Sequence, residues 1–371
     1  MSKKYNFISE VPQKLRDKLG KYFSNTGGRT FVINGLPPEL TGGALARYSR
    51  SPTGMQLTII NEFLDENGEP SQQKGSDLMD RVLNAFGDDS VGELEGTHAG
   101  IEDISQLATK GIEDRRIGGS PIEQSTRYVK YDQKDEQGRW RYLRPAEIID
   151  AGLVVKFEEI NNRAFEVYSE GVKRLIEFFK KEFPRSMQKI EVEREDKKVS
   201  VGEEELKDER EKNAFNNAYN FTVRCAALDV GRCVLPASTL THIGLYGNGR
   251  FFTSVINHLK SSELREENER GYELETELKK VIPTFVKRNK ADPNTSLRNA
   301  RMRNIAKNLF EKISPSANKV TLLPRADYID EVLSLTLFPY ANISLPQIYG
   351  EVGKMSPELK QVIFKEYIGK R

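Results

Sequence analysis

The segment Asp114-Arg-Arg-Ile-Gly-Gly-Ser-Pro-Ile-Glu-Gln-Ser-Thr-Arg-Tyr128 is the most informative stretch of the chain. Its Gly-Gly pair permits close approach of the backbone to a neighbouring group. After that pair, Glu123, Ser125 and Arg127 recur at every second position. Because alternate residues of a strand project from one face, we predict a strand over residues 123–132 that presents a carboxylate, a hydroxyl and a guanidinium together.

Two explanations fit this trio of side chains. A planar, phosphorylated ligand suits it, because the carboxylate and hydroxyl can bond to ring or sugar groups while Arg127 grips an anion with two parallel hydrogen bonds. An ordinary solvent-facing strand edge with an internal salt bridge fits it as well, and the pattern by itself favours that explanation.

A second cluster follows about a hundred residues later. Arg232 lies near the end of a predicted helix, where a cation complements the helix dipole. Asn248 is a good N-cap for the next helix, yet Arg250 in its first turn is electrostatically misplaced. The glycines on either side of Asn248 leave room for an anion such as a pyrophosphate on free N–H groups at the helix start. A structural and a ligand-binding interpretation both remain open here.

The regions around these clusters predict a mixture of helices and strands. The strands are predicted at 28–36, 140–143 and 238–246, and the helices at 40–48, 77–86, 99–114, 157–179, 214–233, 328–337 and 357–367. Residues 189–212 are mostly charged, which predicts a solvated insertion with a hairpin through Val192 and Val199.

Composition excludes several classes of protein. The chain has 371 residues with 37% hydrophobic and 30% charged residues. This length and composition predict about two globular domains or one enlarged domain, and exclude a membrane protein. The net charge of +2 gives no overall attraction to nucleic acid or to anionic lipid. The start of the chain lacks the features of a secretory signal, so we expect a cytoplasmic protein.

The cysteine and histidine inventory is small. Cys225 and Cys233 lie eight residues apart in one predicted helix, about 12 Å along its axis and beyond disulfide reach. The three histidines show no metal-binding spacing. We therefore expect reduced cysteines, no metal site and no nucleophile triad.

Taken in order, five blocks of this sequence resemble the flavin-dependent thymidylate synthases, the ThyX family. The motif of that family reads Arg-His-Arg, two variable residues, Ser, one variable, Asn-Glu, one variable, Ser, one variable, Arg. The matching positions here are Arg115, Ser120, Glu123, Ser125 and Arg127. The other four blocks are Ala46–Ser49, Asp88–Glu93, Gly231–Pro236 and Asn248–Arg250. The resemblance covers roughly residues 30–285.

The resemblance implies an α+β fold with a central, largely antiparallel sheet and long helices. It places the flavin- and nucleotide-binding domain at residues 28–288, with the charged insertion at 189–212, and leaves a helical C-terminal extension at 289–371. It implies reductive methylation of dUMP to dTMP with FAD, using methylenetetrahydrofolate and NADPH. It also implies a homo-oligomer, up to a tetramer.

Roles of individual residues follow from the same resemblance. The residues implied to bind FAD are Ser49, Ser90, Glu93, Arg115, Asn248 and Arg250. The residues implied to bind the pyrimidine nucleotide are Glu123, Ser125, Arg127 and Arg232. Among these, Ser125 is implied to orient the substrate during catalysis, and Arg232 to stabilise charge on the carbonyls of its ring.

Several positions depart from the family pattern. Arg116, Ile117 and Ile122 replace the His, the second Arg and the Asn of the motif, Asp88 stands where a flavin-contacting His is usual, and Leu259 occupies the place of a nucleotide-binding Arg. These departures suggest two alternatives: a catalytically degenerate structural or partner subunit, and a flavin enzyme for another pyrimidine nucleotide. The basic stretch 279–307 suggests nucleic-acid binding as a secondary idea, although a solvated helix face explains it better.

Overall fold

The computed structural model describes residues 4–27, 29–65, 67–82, 89–194, 197–316, 320 and 327–369. The chain forms two compact units. The first contains Met1–Val255 and Glu273–Arg288, and the second contains Ile256–Tyr272 and Asn289–Arg371. The assignment of residues 28–288 to ligand binding remains a prediction, because compactness does not report what a unit binds.

The elements of the described residues are as follows. The strands are β1 Gly96–Ser105, β2 Gly119–Glu123, β3 Lys189–Arg194, β4 Lys197–Gly202 and β5 Leu240–Asn248. The helices are α1 Gln13–Gly20, α2 Pro38–Tyr48, α3 Met55–Thr58, α4 Gln72–Asp80, α5 Gln106–Glu113, α6 Ala146–Asp150, α7 Val154–Glu182, α8 Glu209–Gly231, α9 Gly249–Lys260, α10 Arg265–Leu278, α11 Pro283–Val286, α12 Pro293–Phe310, α13 Tyr328–Leu337, α14 Leu345–Val352 and α15 Pro357–Ile368.

A three-stranded antiparallel sheet organises the first unit. Its order is β1-β5-β2, so β5 pairs with both of the other strands. Ile243 and Leu245 of β5 are buried on one face, whereas Tyr246 between Leu245 and the strand end is half exposed. The expected α+β class with an antiparallel sheet is confirmed.

The helix predicted over residues 99–114 is wrong in its first half. Backbone pairing with β5 keeps this segment extended as far as Ser105, which pairs with Leu240. The Ser105 hydroxyl then accepts a hydrogen bond from the Ala108 N–H at 3.1 Å, which caps α5. The helical spacing is therefore real only from Gln106 onwards.

The strand predicted over residues 123–132 is also wrong, because β2 ends at Glu123. The Ser125 carbonyl accepts hydrogen bonds from the N–H groups of Tyr128 (3.2 Å) and Val129 (3.0 Å), and its hydroxyl accepts one from the Arg127 N–H (3.3 Å). These local bonds turn the chain and compete with ladder pairing. Ser125 and Arg127 consequently do not share a strand face with Glu123.

Other predicted elements differ in extent. Among the residues that the structure describes, the strands predicted at 28–36 and 140–143 contribute only isolated bridges, at Ile33, Trp140 and Tyr142. The helix predicted at 77–86 belongs to α4, which ends at Asp80, and residues 83–88 lie outside the described part of the chain. The helix predicted at 214–233 is α8, which begins earlier and ends before Cys233; both cysteines are free thiols.

Two long helices, α7 and α8, pack against each other in the first unit. The helix predicted over residues 157–179 is confirmed as α7. Tyr168 and Val172 of its predicted apolar stripe are buried, whereas Ile160 is 60% exposed and Phe165, outside the predicted stripe, is buried. Between α7 and α8 the charged insertion forms the antiparallel hairpin β3–β4, in which Val192 pairs with Val199 as predicted.

The second unit has its own apolar core. Residues of α12 to α15 build it, among them Met302, Leu333, Ile348 and Ile363. On its surface Arg301 pairs with Glu366 and Arg303 with Glu263. These ion pairs support the interpretation of the basic stretch as structural surface charge. No described helix has the length and apolar character needed to cross a bilayer.

Replacing Tyr168 with Phe tests the packing of α7. The Tyr168 hydroxyl, which is buried, accepts a hydrogen bond from the Tyr131 N–H at 3.1 Å. Tyr168→Phe leaves that buried donor unsatisfied, so we expect the free energy of unfolding in urea to fall by about 1–3 kcal/mol. Tyr328→Phe, at a side chain that is 78% exposed, is the matched control and should change it by less than about 0.5 kcal/mol. Equal effects of the two variants would contradict this account.

Candidate functional site

A cleft of about 400 Å³ opens at one end of the three-stranded sheet. It is lined by Glu93, Asp114, Arg115, Arg116, Ile117, Gly118, Asn248, Arg250, Phe251 and Ser254. The lining comes from three segments that are far apart in the sequence. The register of β5 brings them together, because Asn248 pairs with Gly96 and Gly247 pairs with Gly119.

The turn that leads into β2 needs glycine. Gly118 has φ +80°, in the left-handed region, and a Cβ at this position would lie 2.7 Å from the Asn248 side-chain amide. The Gly118 carbonyl accepts a hydrogen bond from the Asn248 N–H at 3.0 Å. One residue of the Gly-Gly pair is thus explained by close packing against the start of α9.

Phe251 forms the apolar floor of the cleft. Its ring is buried and lies so close to the sheet that a Cβ on Gly119 would come within 2.3 Å of it, and one on Gly247 within 2.1 Å. Two glycines that face each other across β2 and β5 therefore make the space for this ring. Phe251 could not be predicted from the sequence, because nothing in the neighbouring residues indicates this contact.

Asn248 caps α9, as predicted. Its side-chain oxygen accepts a hydrogen bond from the Phe251 N–H at 2.9 Å. The Gly249 N–H donates to the Glu95 carbonyl at 3.3 Å. Because the protein itself occupies these two donors, the expectation that free N–H groups at this helix start bind an anion is wrong for them. The groups of this cleft that can contact an anion are therefore mainly side chains.

The charges of the cleft favour an anion. Three guanidinium groups line it, those of Arg115, Arg116 and Arg250, together with the carboxylates of Glu93 and Asp114. Glu93 forms an ion pair with Arg250, and both side chains are about half exposed. An exposed pair of this kind contributes little to stability, so Arg250 can exchange Glu93 for a ligand phosphate at small cost. From the sequence, Arg116 was interpreted only as a replacement of the family's His; in the structure it lines the cleft.

The residues implied to bind FAD are thus partly assembled. Glu93, Arg115, Asn248 and Arg250 line the cleft, whereas Ser49 and Ser90 are not among its lining residues. The Ser49 hydroxyl donates to the Ala46 carbonyl at 2.8 Å, at the end of α2.

Two further positions depart from the family pattern. Asp88 lies outside the described residues. Leu259 is completely buried, so this side chain offers a ligand neither charge nor access.

The residues implied to bind the nucleotide lie toward the other end of β2. At about 3.3 Å per residue, Glu123 is about 13 Å along the strand from Gly119. Arg232 follows α8 in a short 3-10 turn, donates to the Thr126 hydroxyl at 3.3 Å and pairs with Asp229 at 2.9 Å. Thr126, which sequence analysis did not single out, therefore links Arg232 to the turn that contains Ser125.

An aromatic stack flanks this second group. The Arg127 guanidinium lies 5.7 Å from the centre of the Tyr128 ring, and that ring stacks on Phe221 of α8 with centroids 5.6 Å apart. Burial raises the pKa of Glu123; the nearby Glu113 carboxylate raises it further, and a hydrogen bond with Thr241 opposes both. Glu123 therefore stays protonated to a higher pH than an exposed Glu.

Comparison with known proteins identifies relatives that match most of the chain. Residues 38–284 match the family model described as thymidylate synthase complementing protein. A UPF0159 protein from Chlamydia muridarum is 33% identical over 92% of this chain and 63% of the relative. A UPF0159 protein from Chlamydia pneumoniae is 34% identical over 94% of this chain and 65% of the relative. This chain spans just under two thirds of the length of both.

Solved structures give more distant matches. The UMP/dUMP methylase PolB from Streptomyces cacaoi, bound with 5-Br dUMP, is 16% identical, with a TM-score of 0.37 over 67% of this chain and 88% of that one. The flavin-dependent thymidylate synthase ThyX from Helicobacter pylori, complexed with FAD and dUMP, is 15% identical, with a TM-score of 0.35 over 65% and 88%.

A pair of glycine substitutions tests the construction of the cleft. Gly118→Ala adds both left-handed backbone strain and a clash with Asn248, whereas Gly138→Ala, at φ +76° with open space around it, adds only strain. We expect Gly118→Ala to lower the free energy of unfolding by about 1–3 kcal/mol more than Gly138→Ala does. Urea denaturation of both variants measures the difference, and the absence of one would show that Gly118 is not packed as described.

Proposed function

This chain belongs to the thymidylate synthase complementing protein family, and we propose on that basis that it is a flavin-dependent thymidylate synthase. The proposed reaction is the reductive methylation of dUMP to dTMP. The one-carbon unit would come from methylenetetrahydrofolate and the electrons from NADPH. We further propose that it acts as a cytoplasmic homo-oligomer, up to a tetramer.

The observation that carries this proposal is the assembly of Glu93, Arg115, Asn248 and Arg250 around one cleft. FAD contains a diphosphate, and guanidinium groups bind phosphate oxygens through charge-assisted, often paired, hydrogen bonds. The cleft offers Arg115, Arg116 and Arg250 for this purpose. The residues present therefore fit the anionic part of the cofactor.

FAD, when bound and reduced, would supply hydride to the one-carbon unit. The protein's own contribution would be to hold the two ligands and to stabilise charge. We propose that Glu123, Ser125 and Arg127 bind and orient the nucleotide. Arg232 would stabilise negative charge on the uracil carbonyls as it develops. The separation of about 13 Å along β2 supports distinct cofactor and nucleotide subsites.

Two alternative functions are suggested by the departures from the family motif. Ile117 at the cleft is 94% exposed and Ile122 on β2 is 74% exposed, where the family has Arg and Asn. Apolar side chains at these positions remove polar contacts with a ligand. This favours either a flavin enzyme for another pyrimidine nucleotide or a degenerate subunit that acts as a structural partner.

Flavin binding tests the cofactor part of the proposal. We expect purified protein to retain a flavin spectrum after FAD is added and the excess removed. Arg250→Ala removes a charge-assisted hydrogen bond and should weaken FAD binding about tenfold to a hundredfold. Arg163→Ala, at a side chain on α7 that is 75% exposed, is the matched control and should bind normally. Failure of the unmodified protein to take up FAD would reject the cofactor.

Nucleotide binding separates the proposed function from its alternatives. We expect dUMP to bind more tightly than dCMP in calorimetry, and Arg232→Ala to weaken dUMP binding at least tenfold while leaving FAD binding unchanged. Arg174→Ala, at a side chain that is 84% exposed, is the control. Equal binding of dUMP and dCMP would favour another pyrimidine substrate. Formation of dTMP by the isolated chain, with methylenetetrahydrofolate and NADPH, would exclude the degenerate subunit.

A further inference from the structure

Two carboxyl groups are buried together in the first unit, outside the residues assigned above. Glu39, in the first turn of α2, has no exposed surface, and Glu95, just before β1, is 2% exposed. Ionised carboxyl groups are rarely buried unless they are paired, because taking a charge out of water is costly. Neither side chain forms an ion pair among the described residues.

The two groups differ in their hydrogen bonds. Glu39 accepts one from the Thr284 N–H at 2.6 Å and another from the Ser76 hydroxyl. Both carboxyl oxygens of Glu95 are buried and have no hydrogen-bond partner among the described residues. Hydrogen-bond donors stabilise a carboxylate, so the negative charge of the pair belongs on Glu39.

Within the described part of the chain, the surroundings of Glu95 offer no compensating positive charge. A Cβ on Gly42 of α2 would lie 3.1 Å from the Glu95 Cβ and 3.3 Å from the Met79 methyl group of α4, so the space is tightly filled. Of the titratable groups on the elements packed around it, Glu39 is the one that influences Glu95. Burial first, and then the Glu39 charge, raise the pKa of Glu95 to about 8.

We propose that Glu95 is held as a neutral carboxylic acid beside ionised Glu39, and that this one bound proton keeps in place the wall of the cleft, formed by Glu93 and the start of α9 at Asn248 and Arg250. Loss of the proton would put two negative charges into one dry, closely packed space. The wall would then be expected to loosen as the pH rises.

The connection to the cleft runs through adjacent contacts. The Glu95 carbonyl accepts a hydrogen bond from the N–H of Gly249, the first residue of α9. The Phe285 ring lies so close to Gly92 and Gly249 that a Cβ on either would come within 1.3 Å or 2.7 Å of it. Thr284, the neighbour of Phe285, holds Glu39. Movement at Glu95 is therefore expected to displace the start of α9, where Arg250 lines the cleft.

Thermal unfolding between pH 6 and pH 9 tests the proton. The folded state keeps a proton that the unfolded state releases above about pH 4.5, so stability falls as the pH rises toward 8. We expect the Tm of the unmodified protein to fall about 4 °C more over this range than that of Glu95→Gln, which cannot ionise. Glu170→Gln, at a side chain that is 73% exposed, should behave like the unmodified protein. An identical pH dependence of Glu95→Gln and the unmodified protein would overturn the proposal.

If Glu95→Gln does not fold, infrared spectra and the effect of salt on stability at pH 9 test the proposal instead. Infrared spectra of the unmodified protein should show the C=O band of a protonated carboxyl at pH 7 that disappears reversibly above pH 8. In Glu39→Gln that band should be lost at lower pH, because the neighbouring charge is gone. Absence of the band at pH 6, or restoration of stability at pH 9 by added potassium chloride alone, would show that the pair does not hold a proton.

Hydrogen–deuterium exchange tests the link to the cleft. At pH 9 peptides that cover residues 246–255 should exchange faster in the unmodified protein than in Glu95→Gln, whereas the two proteins should match at pH 6. If the unmodified protein and Glu95→Gln exchange equally in these peptides at pH 9 as well as at pH 6, the proton does not act on the cleft. None of these measurements uses FAD or dUMP, so their failure is distinct from failure of the proposed enzymatic function.

Discussion

Backbone pairing along β5 is the constraint on which the candidate site depends. β5 is hydrogen bonded to β1 on one side and to β2 on the other, and its last residues meet Gly96 and Gly119. A slip of one residue in either ladder would turn every side chain of that strand to the opposite face. The buried side chains of β5 therefore fix the register, and the register in turn sets which residues line the cleft.

The cleft combines two kinds of electrostatic arrangement. At its surface, Arg250 and Glu93 form a half-exposed ion pair whose members remain available to a ligand. In the interior, Glu39 and Glu95 are buried together, and the Glu95 carbonyl accepts a hydrogen bond from Gly249 at the start of α9. A second negative charge there is costly. The first arrangement suits exchange of partners, and the second suits a fixed protonation state.

The structure shows where the residues that depart from the family motif lie and what their side chains contribute. Arg116 lines the cleft and preserves a guanidinium one position from where the family has it, whereas Ile117 is almost fully exposed and contributes neither charge nor hydrogen bonds. Leu259 is buried in α9. The cationic character of the cleft thus survives the substitutions, while several specific polar contacts do not.

Local patterns in the sequence determined the elements whose cause is local. The apolar spacing of α7, the valine pair of the β3–β4 hairpin, the extended course of β5 and the Asn248 cap of α9 all follow from neighbouring residues. Spacing and capping act over a single turn or pleat, which a sequence displays directly. The ordered motif blocks likewise indicated the family.

Tertiary structure alone decided the rest. Pairing with β5 kept residues 99–105 extended against their helical spacing, and the turn at Ser125 separated Arg127 from the strand face of Glu123. The contact of Arg232 with Thr126 joins residues over a hundred positions apart. The environment of Glu95 is set by elements that meet only on folding, because burial and the partners of a buried carboxyl depend on what the whole chain packs around it.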